Sequence, residues 1–327
     1  ERGQKLGEPA TGGDAGMRDR DFARPSVVAG AFGNGRAPII NEIRRLVRLG
    51  GGPRPFLDQR LLPAAAVYAA MQGRAIGAPM LTAPALRSVR NLERLSHTDW
   101  VPSALLWAYE RQDDPDAIAA FLASLDRFAY GQLVLGIGRD KRVTRYGALV
   151  EAIRSDAGRL DQQGQLSFGA EEQRNILFNA TNDFYGRSSI GCKLLLLRLN
   201  DALGGSALPA DLSEITVEHV LPQKVGRNSP WRARFSEAQL AFYAGSLGNL
   251  ALVTPETNKA VRNFDFERKC AHYQHDPLMQ TMPINAAICS ATDFGPEQIQ
   301  QREDWLTAQL KALWGLTGRP DRRPTNY

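Results

Sequence analysis

Apolar residues along the chain recur mostly at helical spacing. Ile39, Ile40, Ile43, Leu46 and Val47 fit a period of 3.6, and Gly50-Gly51-Gly52-Pro53 ends that helix. Further helical stretches are expected around 57–72, 98–111, 116–135, 143–155, 170–180 and 189–203. Asp99 and Asp116 suit helix caps or first-turn acids, where the positive helix end favours a carboxylate. The longest apolar run, Leu194 to Leu197, is flanked by Lys193 and Arg198, so it reads as buried helix and falls far short of the ~20 residues of a membrane span. Residues 1–37 mix Gly, Arg and Asp with no hydrophobic period and read as an arm or linker.

The character changes near Gly204-Gly205. Ile215-Thr216-Val217-Glu218-His219-Val220 alternates as a strand does and ends at Leu221-Pro222. A polar, basic loop and a helix-like segment (236–243) follow, then a second apolar run, Leu250 to Val253. Thr254-Pro255-Glu256 opens a helix, with Thr as cap, Pro in the first turn and Glu on the dipole. An amphipathic helix from about Pro296 to Trp314 closes the chain. The expected fold class is mainly α: a helical domain (38–205), then a small α+β domain with a carboxy-terminal helix (206–327).

Composition narrows this little. Forty Lys+Arg against 35 Asp+Glu give a charge of +5, which permits an anionic partner without naming one. Three cysteines, Cys192, Cys270 and Cys289, form no CxxC pair, so a disulfide framework and a four-cysteine zinc site are both excluded as readings. A reducing cytoplasm is the compartment expected from them. The local charge says more: from His219 to His275 eight basic residues face four acids, a surplus of four that is most of the chain's excess.

Four histidines are candidates for chemistry. His97 reads as structural or solvated, His272 and His275 as a solvated helix end, and Asn182-Asp183 as helix-end and turn residues. His219 differs because of its company. It follows Glu218 at a strand end, Asn249 stands thirty residues on before the second strand, and Asn258 lies nine further in the helix. Strand, strand and helix carrying His, Asn and Asn favour a hairpin-plus-helix metal site over a lone structural histidine.

Glu218-His219-Val220-Leu221-Pro222-Gln223, Leu247-Gly248-Asn249-Leu250, Asn258 and Phe266…Lys269…Tyr273 resemble the carboxy-terminal nuclease of GmrSD-type restriction proteins, of the HNH or ββα-metal (His-Me finger) kind. The resemblance is specific over about 214–275. It implies a ββα-metal domain and a group that includes effectors of phosphorothioate-linked antiphage defence. It also implies an amino-terminal NTPase and modification-sensing domain, no sign of which occurs in this sequence. Together with a start at Glu1, that makes a carboxy-terminal piece the expectation.

A neutral imidazole, with a pKa near ~6.5, can take a proton from water at cellular pH, which assigns the general base to His219. Oxygen ligands suit Mg²⁺ or Mn²⁺. The resemblance implies that Asn258 and Glu218 supply such oxygens and that Asn249 orients the His219 loop. Many such sites carry Asp where Glu218 stands. Lys259 and Arg262, just past Asn258, are the first candidates for DNA backbone contacts, with Lys224 and Arg227 beside them. The leading expectation is a divalent-metal-dependent endonuclease that nicks double-stranded DNA, without a membrane role. The alternatives are a non-catalytic helical DNA-binding or assembly module with a silent nuclease fold, and an RNA nuclease.

Overall fold

The computed structural model describes residues 39–74, 81–156, 164–205 and 211–318. The arm at 1–37 lies outside the described residues. Helix α1 (Ile39–Leu49) stops at Gly51 and Gly52, both at positive φ. Next come α2 (Pro53–Phe56), a π turn (Leu57–Leu61) that runs into α3 (Leu62–Met71), α4 (Ala83–Glu93) and α5 (Val101–Glu110). The longest helix is α6 (Pro115–Leu135), followed by α7 (Arg139–Asp156), α8 (Ala170–Thr181), the single turn α9 (Phe184–Arg187) and α10 (Ser189–Ala202). By length and composition α6 could cross a membrane, but 61% of the relevant window is buried, as in a core helix.

Local chemistry explains most boundaries. Asp114 caps α6 by accepting from Ala117 N (2.9 Å), and Asp116 lies in its first turn as expected. Asp99 is no cap. It is buried and accepts from Arg142 Nε at 2.6 Å. Helix α4 escaped the periodicity reading because its buried face mixes Ala85, Val89 and Leu92 with Ser88 and Asn91. Leu194 to Leu197 are all buried, as predicted.

Beyond α10 the described residues form one antiparallel hairpin, β1 (Thr216–His219) with β2 (Leu250–Val253), in which Glu218 pairs with Ala251 and His219 with Leu250. Between the strands lie α11 (Trp231–Arg234) and α12 (Glu237–Ala244). After β2 come α13 (Pro255–Val261), α14 (Phe266–Tyr273), α15 (Pro277–Thr281), α16 (Ala286–Cys289) and α17 (Pro296–Trp314). Thr254 caps α13 with Pro255 in its first turn, as the sequence indicated.

The hairpin lies between two cores because its side chains alternate. Val217, Leu250 and Leu252 join the large core built by the helices, to which α17 adds Leu306, Leu310 and Trp314. Ala251 and Val253 face the other way, into a smaller core with Trp231, Phe266, Tyr273 and Ile299. Two fully buried asparagines replace missing strand neighbours. Asn285 Oδ1 accepts from Leu252 N (3.1 Å) and its Nδ2 donates to Leu252 O (2.7 Å). Asn249 treats Leu221 in the same way.

Helix α17 crosses directly over the Leu247-Gly248-Asn249 turn. A Cβ on Gly248 would lie 2.1 Å from the Ile299 carbonyl oxygen, so only glycine admits the helix. Arg302, buried, donates to Gly248 O (2.7 Å) and Ile284 O (2.9 Å), and Ser246 Oγ donates to Glu303. Gly248→Ala is therefore expected to destabilise the protein by at least ~1–3 kcal/mol, the usual range for overpacking. Urea unfolding checks it; an unchanged midpoint would mean that the crossing has room to spare.

Candidate active site

Strand alternation sends Glu218 and His219 to opposite faces of the hairpin. Glu218 faces the smaller core, where its Oε1 accepts from Lys269 Nζ (2.5 Å) and Tyr273 OH (3.1 Å). Lys269 is fully buried on α14, and its ammonium also donates to the His219 carbonyl (2.7 Å). Burial pushes the Glu218 carboxyl upward, and the Lys269 charge opposes that rise. The same burial pulls Lys269 downward against the attraction of Glu218. Each charge therefore depends on the other in a place where neither could stand alone.

His219 faces the helical region. Its ring meets Tyr185 of α9 edge-to-face, with centroids 4.5 Å apart and planes at 89°. The side chain is 8% exposed, and Nε2 is buried without a hydrogen-bond partner. Burial, then the Lys269 charge, lowers its pKa to about 4, while Asp183 acts in the opposite direction. The imidazole is thus neutral at pH 7 and has a lone pair to offer.

Asn249 holds the turn after His219. Its Oδ1 accepts from Leu221 N (2.6 Å), and its Nδ2 donates to Leu221 O (2.8 Å) and Ala244 O (3.0 Å). The adjoining main-chain bond runs from Val220 N to Asn249 O at 3.0 Å. Every side-chain polar atom of Asn249 is spent on backbone, so its place is to fix the loop. Asn258, half-buried on α13, donates through Nδ2 to Thr216 Oγ1 (3.0 Å) and Val217 O (2.9 Å). Those bonds orient its amide through Nδ2, and Oδ1 is the atom of this side chain that could face a cation.

The donors suit a hard cation unevenly. Asn258 brings an oriented neutral oxygen, whereas the Glu218 charge is already balanced by Lys269. No group of three or more His, Cys, Asp and Glu able to hold a metal occurs among the described residues, His272 and His275 included.

The surplus of positive charge divides in a telling way. Arg232 pairs with Glu237, Arg234 with Asp293 and Lys269 with Glu218, while Arg268 lies over the Phe264 ring at 3.9 Å. Lys224, Arg227, Lys259 and Arg262 are exposed, and no ion pair engages them among the described residues. Arg262 ends α13 at positive φ (31°), and its Nε donates to the Lys259 main-chain carbonyl (3.0 Å), which holds its side chain against the helix end.

Sequence reasoning missed two neighbours of His219. Tyr185 falls between the helices expected at 170–180 and 189–203, where the pattern assigns no element. Asp183 does cap α9, accepting from Gly186 N (3.0 Å), but it also packs against Gly245, where a Cβ would lie 2.6 Å from its Oδ1. The polar, left-handed Asp183 (φ 50°) looks like turn chemistry, and no spacing rule links it to His219.

These placements separate two roles for Glu218 by experiment. As the charge partner of Lys269, Glu218→Gln should lower the melting temperature, and Lys269→Met alone should cost ~3–5 kcal/mol by stranding a buried charge. The double variant should regain part of that loss. A Glu218→Gln protein of unchanged stability that had lost only metal affinity would show the ligand role instead.

Residues 170–309 match the family described as GmrSD restriction endonucleases, C-terminal domain. That segment begins with α8 and contains α9, the hairpin, α13, α14 and most of α17, hence every residue of the site. No curated protein matches the chain. The family carries a restriction-endonuclease-type function, and such a domain implies DNA as substrate.

Proposed function

We propose, from the premise that residues 170–309 are the C-terminal domain of the GmrSD restriction endonucleases, that this chain is a divalent-metal-dependent endonuclease of the HNH type that nicks double-stranded DNA. The observation that carries the reading is a neutral imidazole, His219, at the end of a strand whose following turn is locked by the buried Asn249.

Hydrolysis of a phosphodiester needs a base for the attacking water, positive charge for the phosphate and relief of charge on the departing oxygen. His219 is the base. Its low proton affinity in the free protein rises as a polyanion approaches, because nearby negative charge favours the imidazolium. Lys269 fixes the main chain at His219 through its carbonyl, and Asn249 fixes the two residues beyond. Lys224, Arg227, Lys259 and Arg262 neutralise the backbone of the duplex and position it without reading sequence. Mg²⁺ or Mn²⁺, when bound, would supply Lewis-acid stabilisation of the phosphate and the leaving oxygen. Asn258 would hold it through Oδ1, and Glu218 would join it only by giving up its pairing with Lys269.

One site of this kind cuts one strand, hence nicking. The proposal extends to phage DNA in the cytoplasm, as the effector part of a modification-linked system such as phosphorothioate-based defence; the family's description as restriction endonucleases supports the action on DNA alone. In that setting an amino-terminal NTPase and sensing domain would license cleavage.

Supercoiled plasmid with Mg²⁺ or Mn²⁺ tests the reading. Nicked circles should accumulate, EDTA should stop them, and His219→Ala should lower the rate by on the order of 10²–10⁴. Asn258→Ala should be partly rescued by more metal. Lys259→Gln and Arg262→Gln should each reduce the slope of log affinity against log salt by about 1. Tight binding without cleavage under any metal would favour a silent binding module, and faster cleavage of matched RNA would reassign the substrate.

A further inference from the structure

His219 Nε2 presents a problem of accounting. It is buried and no oxygen or nitrogen lies within hydrogen-bond reach, although a buried polar atom left unmatched costs ~1–3 kcal/mol. The imidazole packs against the Tyr185 ring, perpendicular to it with centroids 4.5 Å apart. A perpendicular pair can be arranged in two ways. Either the tyrosine edge meets the imidazole face, which leaves Nε2 orphaned, or the imidazole edge meets the tyrosine face. In the second, an Nε2–H points into the electron-rich face of the ring, which accepts it as a weak hydrogen bond. A π face can serve an N–H but not a lone pair, so this contact also chooses the tautomer.

The turn that carries Tyr185 is built to hold it there. Asp183 adopts left-handed backbone (φ 50°) to cap α9. Its carboxylate rests against Gly245, just before the turn that carries Asn249. Arg187 then ties the far end of α9 back to Asn179 and to Asn182 O (3.2 Å). Helix α9 is therefore fixed both to α8 and to the loop that positions the base.

We infer that Tyr185 is a positioning residue which holds His219 as the Nε2–H tautomer, so that Nδ1 carries the lone pair that takes the proton from the attacking water. This rests on His219 being the base. It assigns a part of the nuclease site to the helical region, ahead of the hairpin.

The test uses the full chain with ¹⁵N-labelled histidine, where long-range proton–nitrogen spectra report which ring nitrogen is protonated; His219→Ala identifies the signal. In the parent and in Tyr185→Phe, which keeps the π face, His219 should be the Nε2–H tautomer and nicking should agree within about twofold. Tyr185→Leu should mix the tautomers and lower kcat at least about tenfold with KM within about twofold. Should the leucine variant fail to fold, pentafluorophenylalanine at position 185 keeps the ring shape and reverses the charge of its face, and the same loss is expected. An Nδ1–H tautomer in the parent, or an unaltered tautomer in the leucine and pentafluoro variants, would overturn the inference. A parent that shows the Nε2–H tautomer but never nicks would instead remove the nuclease reading and leave the tautomer contact standing.

Discussion

A single buried ammonium holds the site together. Lys269 is fully enclosed, and its bonds to the Glu218 carboxylate and the His219 carbonyl join α14 to the end of β1 at two consecutive residues. The hairpin has only four residues per strand, too short to be rigid by its own ladder. Its definition has to come from outside. Lys269 supplies it on one face, Asn249 at the turn, Asn285 along the β2 edge and Gly248 beneath α17. Remove the charge balance at Lys269 and the strand end that carries His219 loses its fixed point.

This arrangement explains what could be read from the sequence. The strands, the following helix and its Thr-Pro-Glu opening were legible because local periodicity and capping chemistry encode them. Asn249 was legible because its motif is short and local. The pairing of Lys269 with Glu218 was not, because it spans 51 residues and depends on how α14 packs against the hairpin. The opposite orientation of Glu218 and His219 does follow from strand alternation, yet the family pattern groups them as neighbours. The pleat places the carboxylate in the smaller core with Lys269 and the imidazole against the helices.

The positive charge of this region is likewise sorted by folding. A surplus of four over His219 to His275 treated all eight cations alike. Folding spends three of them on Glu237, Asp293 and Glu218 and stacks a fourth on Phe264. The remaining Lys224, Arg227, Lys259 and Arg262 are the four that the sequence had put forward for phosphate contacts. They were selected for proximity to Asn258 and His219, and folding leaves these four exposed.

The boundary near Gly204-Gly205 separates two styles of sequence, but packing runs straight across it. The large core includes Leu195 and Leu197 of α10, Val217 and Leu252 of the hairpin, and Leu310 of α17. Lys193 on α10 donates to Leu212 O (2.8 Å) and Ile215 O (3.0 Å), which moors the approach to β1. One face of the hairpin therefore belongs energetically to the helices, and the imidazole on that face takes its neighbour, Tyr185, from them. A helical region that merely spaced or regulated a separate nuclease would have no reason to fill that face.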